Sequence, residues 1–335
     1  MFSGKSAKMN DAPDQATHAQ DSHAQNSNAN GIYVNVAQLL ELRRLANTID
    51  MSTRRRSASS IDGSSRSSFR GRGMEFAEVR PYNAGDDIRS IDWRVTARTQ
   101  QTYTKLFQEE KERPVYIVVD QRSTMFFASQ GSFKSAFAAQ IAAIIGWAAL
   151  GNNDRIGALV FGDTQQIDLR AKRGKHALLQ FVYQLQQYNH KLMQPMTSEP
   201  TQSLREMLKD IGRVAKPGSA VFVISDFHDF DDDCKEPLAM ASRHADVHLI
   251  HLYDNLEKTL PFAPNLLITD GKHKVDINSV DTHNYASQFT QLREQLQQFC
   301  LNRKITFTST VNTTDISDLV STLFAQKRNT KKQRG

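Results

Sequence analysis

Val115-Tyr116-Ile117-Val118-Val119-Asp120 is a continuous apolar, largely β-branched run that closes on an acid. Such a run reads as a strand buried on both faces of a parallel sheet. Ala220-Val221-Phe222-Val223-Ile224 repeats the pattern and closes on Ser225-Asp226. Around these two runs the segments alternate in type. Phe133 to Leu150 is apolar almost all round, as a buried helix would be, and Arg155 to Phe161 is strand-like. Helical patterns follow at Ala177 to Tyr188 and Leu204 to Val214, then a strand at Val247 to Leu252. A long helix over Tyr285 to Leu301 precedes a last strand at Ile305 to Thr308. Repeated strand–helix alternation predicts an α/β fold with a doubly wound, mostly parallel sheet in three layers, of Rossmann type. Ligands of such sheets sit outside the carboxyl ends of the strands, where the strand order reverses. Asp120 and Asp226, at the tips of two buried strands, therefore mark the candidate site.

Upstream the pattern is different. Residues 1–30 are rich in Asn, Ala, Gln, Ser and Asp, cannot bury enough apolar surface to offset their ordering entropy, and are expected to be disordered. His18 and His23 within them lack the second shell that a metal ligand needs. Residues 31–114 hold a short amphipathic helix (Val36 to Ile49), an Arg/Ser loop (Ser52 to Gly73) and two strands, Glu75 to Tyr82 and Thr102 to Gln108. These make a small β-containing unit ahead of the main domain, which is expected to span 115–325, with a basic flexible tail at 326–335. Between the two strands, Gly85 to Arg98 combines a glycine turn with alternating acids and arginines. Asp86, Asp87 and Asp92 are expected to pair with Arg89, Arg94 and Arg98 while Ile88, Ile91 and Trp93 pack inward. That would clamp the small unit on the main domain; a partner-contact surface is the competing reading.

The chain has 335 residues, 39% hydrophobic and 23% charged, with a formal net charge of +6. The positive charge concentrates in Arg54 to Arg72 and in Lys327 to Arg334, which permits nucleic-acid binding without establishing it. Cys234 and Cys300 form no spacing motif and fit reduced thiols of a cytoplasmic protein. Met1 to Asn10 has no apolar signal core. Ala136 to Leu150 is shorter than the roughly 20 residues of a membrane span. A soluble protein without a membrane span is expected. Gly174-Lys175 stands alone rather than closing a phosphate loop, and neither a Gly-x-Ser-x-Gly elbow nor a His-Glu-x-x-His motif occurs. No catalytic residue and no small-molecule substrate are expected. Asp226 to Cys234, with His228 inside it, reads as a solvated acidic loop rather than a zinc site.

Asp120-Gln121-Arg122-Ser123-Thr124-Met125 resembles the Asp-x-Ser-x-Ser loop of von Willebrand factor A domains. There, alternate residues of an irregular loop turn hard oxygens toward a divalent cation that keeps some of its waters. The resemblance makes Asp120 and Thr124 candidate Mg²⁺ ligands, with Thr201 as the hydroxyl of a second loop and Asp226 as the acid of a third. Position 122 departs from the pattern, because Arg122 brings a permanent cation to where the metal would sit. A metal site, an Arg–Asp ion pair in which Arg122 bridges Asp120 and Asp226, and a plain turn are the three readings. Arg122 and Ser123 are the residues such a face would present to a partner.

Gly73-Met74-Glu75-Phe76, Arg80-Pro81-Tyr82 and the run from Gly85-Asp86-Asp87 through Ile91-Asp92-Trp93 to Ala97-Arg98 are similar to a MoxR-associated family, domain of unknown function fifty-eight. Val223 to Phe227 and Asp254-Asn255-Leu256-Glu257 with Leu260-Pro261 extend the likeness, Asn255 standing where the family has proline. The resemblance implies an A-like domain that works with a MoxR-type AAA+ ATPase and other A-domain proteins. The likeness establishes no enzymatic activity, and the leading expectation is a protein-interaction adaptor, not an enzyme, in the assembly or maturation of a client. A nucleic-acid-associated protein using the basic loop and tail is one alternative, although no helix-turn-helix, zinc finger or aromatic RNA platform is seen. A metal-dependent phosphoesterase built on Asp120 and Asp226 is another, without a general base or second metal cluster.

Overall fold

A computed structural model describes residues 31–47, 49, 74–109, 112–194, 202–261, 267–269, 274–276 and 282–324. Residues 1–30, the Arg/Ser loop, Thr201 and the basic tail lie outside the described residues.

The chain opens with α1 (Val36–Glu41) and α2 (Arg43–Ala46), followed by β1 (Met74–Pro81), α3 (Trp93–Thr99) and β2 (Tyr103–Glu109). Then come β3 (Pro114–Asp120), α4 (Lys134–Gly151), β4 (Arg155–Phe161), β5 (Gln166–Lys172), α5 (Lys175–Lys191), α6 (Leu204–Val214) and β6 (Ala220–Ser225). The remainder is α7 (Asp232–Ser242), β7 (Asp246–Tyr253), α8 (Asn255–Lys258), β8 (Leu267–Thr269), β9 (Lys274–Asp276), α9 (Thr282–Arg303), β10 (Thr306–Val311) and α10 (Ile316–Phe324).

Six strands form one sheet in the order β10-β7-β6-β3-β4-β5. All neighbours are parallel except β4 and β5, which are antiparallel. The expected mostly parallel α/β sheet is therefore present, with helices on both faces. The period of two along each strand divides its side chains between two cores. Val115, Ile117, Val119, Ala158 and Val160 face one core with α1, α2, α4, α5 and α10. Tyr116, Val118, Leu159 and Phe161 face the other with α6, α7 and α9. Burial on both faces explains why these strands read as unbroken apolar runs. Within this sheet, the edge strand β5 is the one that sequence reading omits. Gln166-Ile167-Asp168-Leu169-Arg170-Ala171-Lys172 alternates apolar and polar, as a half-buried edge does, and so gives a weaker signal.

α4 is long and apolar enough to cross a membrane, but it lies inside the fold, its residues buried nearly throughout. Trp147 on α4 donates from Nε1 to the Leu39 carbonyl at 3.0 Å. Together with Val34 N–H donating to Asn189 Oδ1 at 2.9 Å, this packs α1 against the sheet's helices. A close approach shapes β4: a Cβ on Gly157 would stand 2.5 Å from Tyr116 Cε1 and 3.0 Å from Ala171 N. Gly157→Ala should therefore cost about 1–3 kcal/mol through overpacking, read from a denaturant melt.

β1 and β2 pair antiparallel as a separate two-stranded sheet, with a register shift between Phe76 and Glu78. The segment joining them corrects the expected clamp. Asp86 pairs with Arg80 at 2.7 Å and Asp92 with Lys105 at 3.5 Å, all within the small unit. Asp92 also caps α3, accepting from the N–H groups of Arg94 and Val95, while Asp87 accepts from the N–H of Arg89. Acids just ahead of a helical turn meet free backbone N–H groups first, so capping wins over the expected pairing with arginine side chains. Trp93 and Ile88 point outward rather than inward, each 66% exposed.

Candidate functional site

β3 and β6 are neighbours, and the chain leaves them in opposite directions, toward β4 on one side and β7 on the other. The strand order reverses between them, which opens a crevice at their carboxyl ends. Asp120 ends β3, and Ser225-Asp226 ends β6. Both acids are buried.

The loop after β3 folds Arg122 back onto its own strand. Its Nε donates to Asp120 Oδ1 at 3.1 Å and its Nη2 to Asp120 Oδ2 at 2.8 Å. The other edge of the guanidinium donates from Nη1 and Nη2 to the two oxygens of Asp229, at 2.8 and 2.9 Å. Both contacts are two-pronged, the geometry for which the planar guanidinium is suited. Asp120 also accepts from the Arg122 backbone N–H at 3.0 Å and from Ser225 Oγ at 2.7 Å. Asp229 accepts from Leu204 N–H at 3.0 Å, tying the start of α6 to the same group.

A second cation sits beside the first. Lys134, the first residue of α4, is fully buried, and its Nζ donates to Asp226 Oδ2 at 2.9 Å and to Glu257 Oε1. His228 stands between the two groups, its Nδ1 lying 3.2 Å from Asp226 Oδ1 and 3.5 Å from Asp229 Oδ1. The result is an alternating network: Asp120, Arg122, Asp229, His228, Asp226, Lys134, Glu257. Arg122 thus bridges Asp120 and Asp229, not Asp120 and Asp226 as expected from sequence; Asp226 is taken by Lys134. The acidic stretch is also less solvated than expected. Phe227, Phe230 and Cys234 are buried and only its later acids, Asp231 to Asp233, are exposed at the start of α7.

Burial is the largest single influence on every member, but their charged partners outweigh it in all except Asp120 and Glu257. It pushes the Asp120 carboxyl up, although Arg122 opposes the shift. In Asp226 burial is outweighed by the charge of Lys134 and the bond to His228, which hold the carboxyl well below the usual range. Burial would also push His228 down, but the hydrogen bond to Asp226 and the charges of Asp226 and Asp229 raise it above an ordinary histidine. Burial raises Glu257 despite Lys134.

The expected metal ligands do not assemble. Both oxygens of Asp120 are committed to four donors, and Asp226 to Lys134 and His228. Thr124 keeps its Oγ1 buried without a hydrogen-bond partner, and Thr201 lies outside the described residues. Ser123 is exposed, its N–H and Oγ bound to Asp163 at 3.1 and 3.0 Å. Among the described residues, no group of three or more His, Cys, Asp or Glu is placed to hold a metal ion. Mg²⁺ needs several free oxygen lone pairs, whereas here two tethered cations hold them, so these residues do not fit the ion.

Lys134, Asp229, His228 and Glu257 have no role in the sequence reading of the site. The lone lysine opening an otherwise apolar helix was the available signal for one of them. Glu257 belongs to a capping box in which Asp254 is the cap, and Asp254 further accepts from Ser129 and Asn312. The two thiols lie elsewhere: Cys234 and Cys300 are buried, and burial pushes each up to about 12. Neither should be alkylated by iodoacetamide in the native protein at neutral pH, while both should react in denaturant; mass spectrometry distinguishes the outcomes.

An open, mostly parallel α/β sheet whose switch-point crevice is closed by ion pairs defines the class. The family described as "Protein of unknown function DUF58" matches residues 78–298, and the chain belongs to it. The uncharacterized protein Rv1480 of Mycobacterium tuberculosis and the uncharacterized protein Mb1516 of Mycobacterium bovis are each 26% identical over 211 residues. Those matches span 61% of this chain and 63% of the relatives' own length. Among solved structures, the open conformation of the pilus adhesin SpaC from Lactobacillus rhamnosus GG overlaps with a TM-score of 0.37 at 10% identity, covering 77% of this chain and 35% of that one. A point mutant of the PilB minor pilin from Streptococcus sanguinis gives a TM-score of 0.33 at 9% identity, over 67% of this chain and 64% of that one.

Proposed function

We propose that this chain is a cytoplasmic protein-interaction adaptor with a von Willebrand factor A-like domain. Its partner is a MoxR-type AAA+ ATPase, with which it assembles or matures a client protein. The observation that carries this reading is the commitment of the crevice's charged groups to one another. Arg122 and Lys134, themselves buried, neutralise the acids that would otherwise hold a metal and fix in place the partly exposed members of the network, His228, Asp229 and Glu257, at the strand tips. Pre-organised charge of this kind serves recognition by setting partner choice and register. The ATPase comes from the family resemblance in the sequence. Reconstitution with the MoxR-type ATPase encoded nearest in the same genome tests the proposal. The expected result is a complex that forms in one nucleotide state and changes the ATPase rate. No complex in any nucleotide state, with an unchanged rate, overturns it.

A further inference from the structure

The segment between β1 and β2 turns a compact set of large side chains toward solvent. Trp93 and Ile88 are each 66% exposed. Arg89, Arg94 and Arg98 are exposed too, and among the described residues no carboxylate reaches their guanidinium groups. Trp93 and Ala97 lie one turn apart on α3, as do Arg94 and Arg98, so these four residues share one side of the helix. Nearby acids are already engaged: Asp86 with Arg80, and Asp92 with Lys105 and the α3 cap.

We propose that this face, carried by Ile88, Arg89, Trp93, Arg94 and Arg98, is a docking surface for an acidic protein segment that bears an apolar side chain. Tryptophan and arginine are the residues most enriched among those that dominate binding energy at interfaces. Large apolar groups left in water beside unpaired cations match a ligand that supplies both carboxylates and an apolar anchor. The chain's own Arg54–Arg72 stretch and Lys327–Arg334 tail are cationic and do not complement it. Nucleic acid is the poorer fit, since it would meet the arginines and stack on Trp93 but offers no aliphatic side chain to cover Ile88 beside it. The surface lies on the small unit and shares no residue with the strand-tip network, so the proposal goes beyond the adaptor reading and survives its failure.

Trp93 is itself the reporter, because Trp147, the chain's other tryptophan, is only 5% exposed. The full-length protein would be titrated with three labelled probes: a short Glu-rich peptide carrying Leu and Phe, the same peptide without the apolar residues, and a single-stranded DNA of equal charge. The first should bind most tightly and blue-shift the tryptophan emission, and the shift should vanish in Trp93→Phe. Arg94→Glu with Arg98→Glu should weaken that binding roughly tenfold or more. Circular dichroism and the melting temperature should be unchanged in these variants, since the substituted side chains hold nothing else in place. Peptide binding that survives the double charge reversal overturns the proposal. So do tighter DNA binding through the same residues, self-association that the double variant abolishes, and no binding of any probe.

Discussion

Lys134→Met should lower the unfolding free energy by about 3–5 kcal/mol, the usual result of removing one partner of a buried ion pair. The ammonium is fully buried between Asp226 and Glu257, and Asp226 is itself only 5% exposed. Without the lysine, Asp226 keeps His228 as its neighbour but loses the charge that does most to hold its carboxyl down. The pH dependence carries a sign. A folded-state carboxyl held below its unfolded value contributes stability above that unfolded value and loses it as pH falls toward the folded one. The gap between wild type and Lys134→Met should therefore be widest near neutral pH and shrink in acid, below the ordinary aspartate range. Lys134→Met combined with Asp226→Leu should recover much of the loss, because exchanging both members of a buried pair for apolar groups is often close to neutral. Urea melts at several pH values measure all three quantities. A Lys134→Met protein as stable as wild type at neutral pH would mean that the ammonium is not buried in this pair.

How much of this was legible follows from where each interaction is encoded. The central strands are local features: β3 and β6 are unbroken apolar runs because both faces are covered, and their terminal acids point to the crevice by the strand-end rule alone. The partners of those acids are not local. Lys134 is 92 residues from Asp226, and Arg122 is 107 from Asp229. Composition identifies Arg122 as a cation in a metal-like loop, but nothing in the one-dimensional order assigns it to Asp229 rather than Asp226. α7 was hidden because its opening acids read as a solvated loop, whereas Asp231 caps the helix and Asp232 and Asp233 fill its first turn. The outward turn of Trp93 was hidden for a related reason. The acids that flank it are caps and short-range partners, so no charged lattice draws it inward.

Arg122→Ser should convert a magnesium-indifferent protein into a magnesium-responsive one. In the wild type the guanidinium lies between Asp120 and Asp229 and makes a two-pronged contact with each. A strongly hydrated ion has little reason to displace a tethered cation that already satisfies both carboxylates. Neither Mg²⁺ nor EDTA should move the wild-type melting temperature. Removing the guanidinium leaves Asp120 buried against Ser225, with Asp226 nearby adding repulsion. The metal-free variant should lose about 3–5 kcal/mol for that uncompensated charge. It also restores a hydroxyl to the loop, beside the unpartnered Thr124 Oγ1, and frees lone pairs on two acids. Mg²⁺ at about a hundred times its Kd would then return about 2.7 kcal/mol through binding to the native state alone. Arg122→Lys should fall between, keeping the charge but losing the planar fork that reaches both acids. Calorimetry and thermal melts with and without the ion separate these cases. Saturable Mg²⁺ binding by the wild type that disappears in Asp120→Ala would place the guanidinium outside the crevice and the metal inside it.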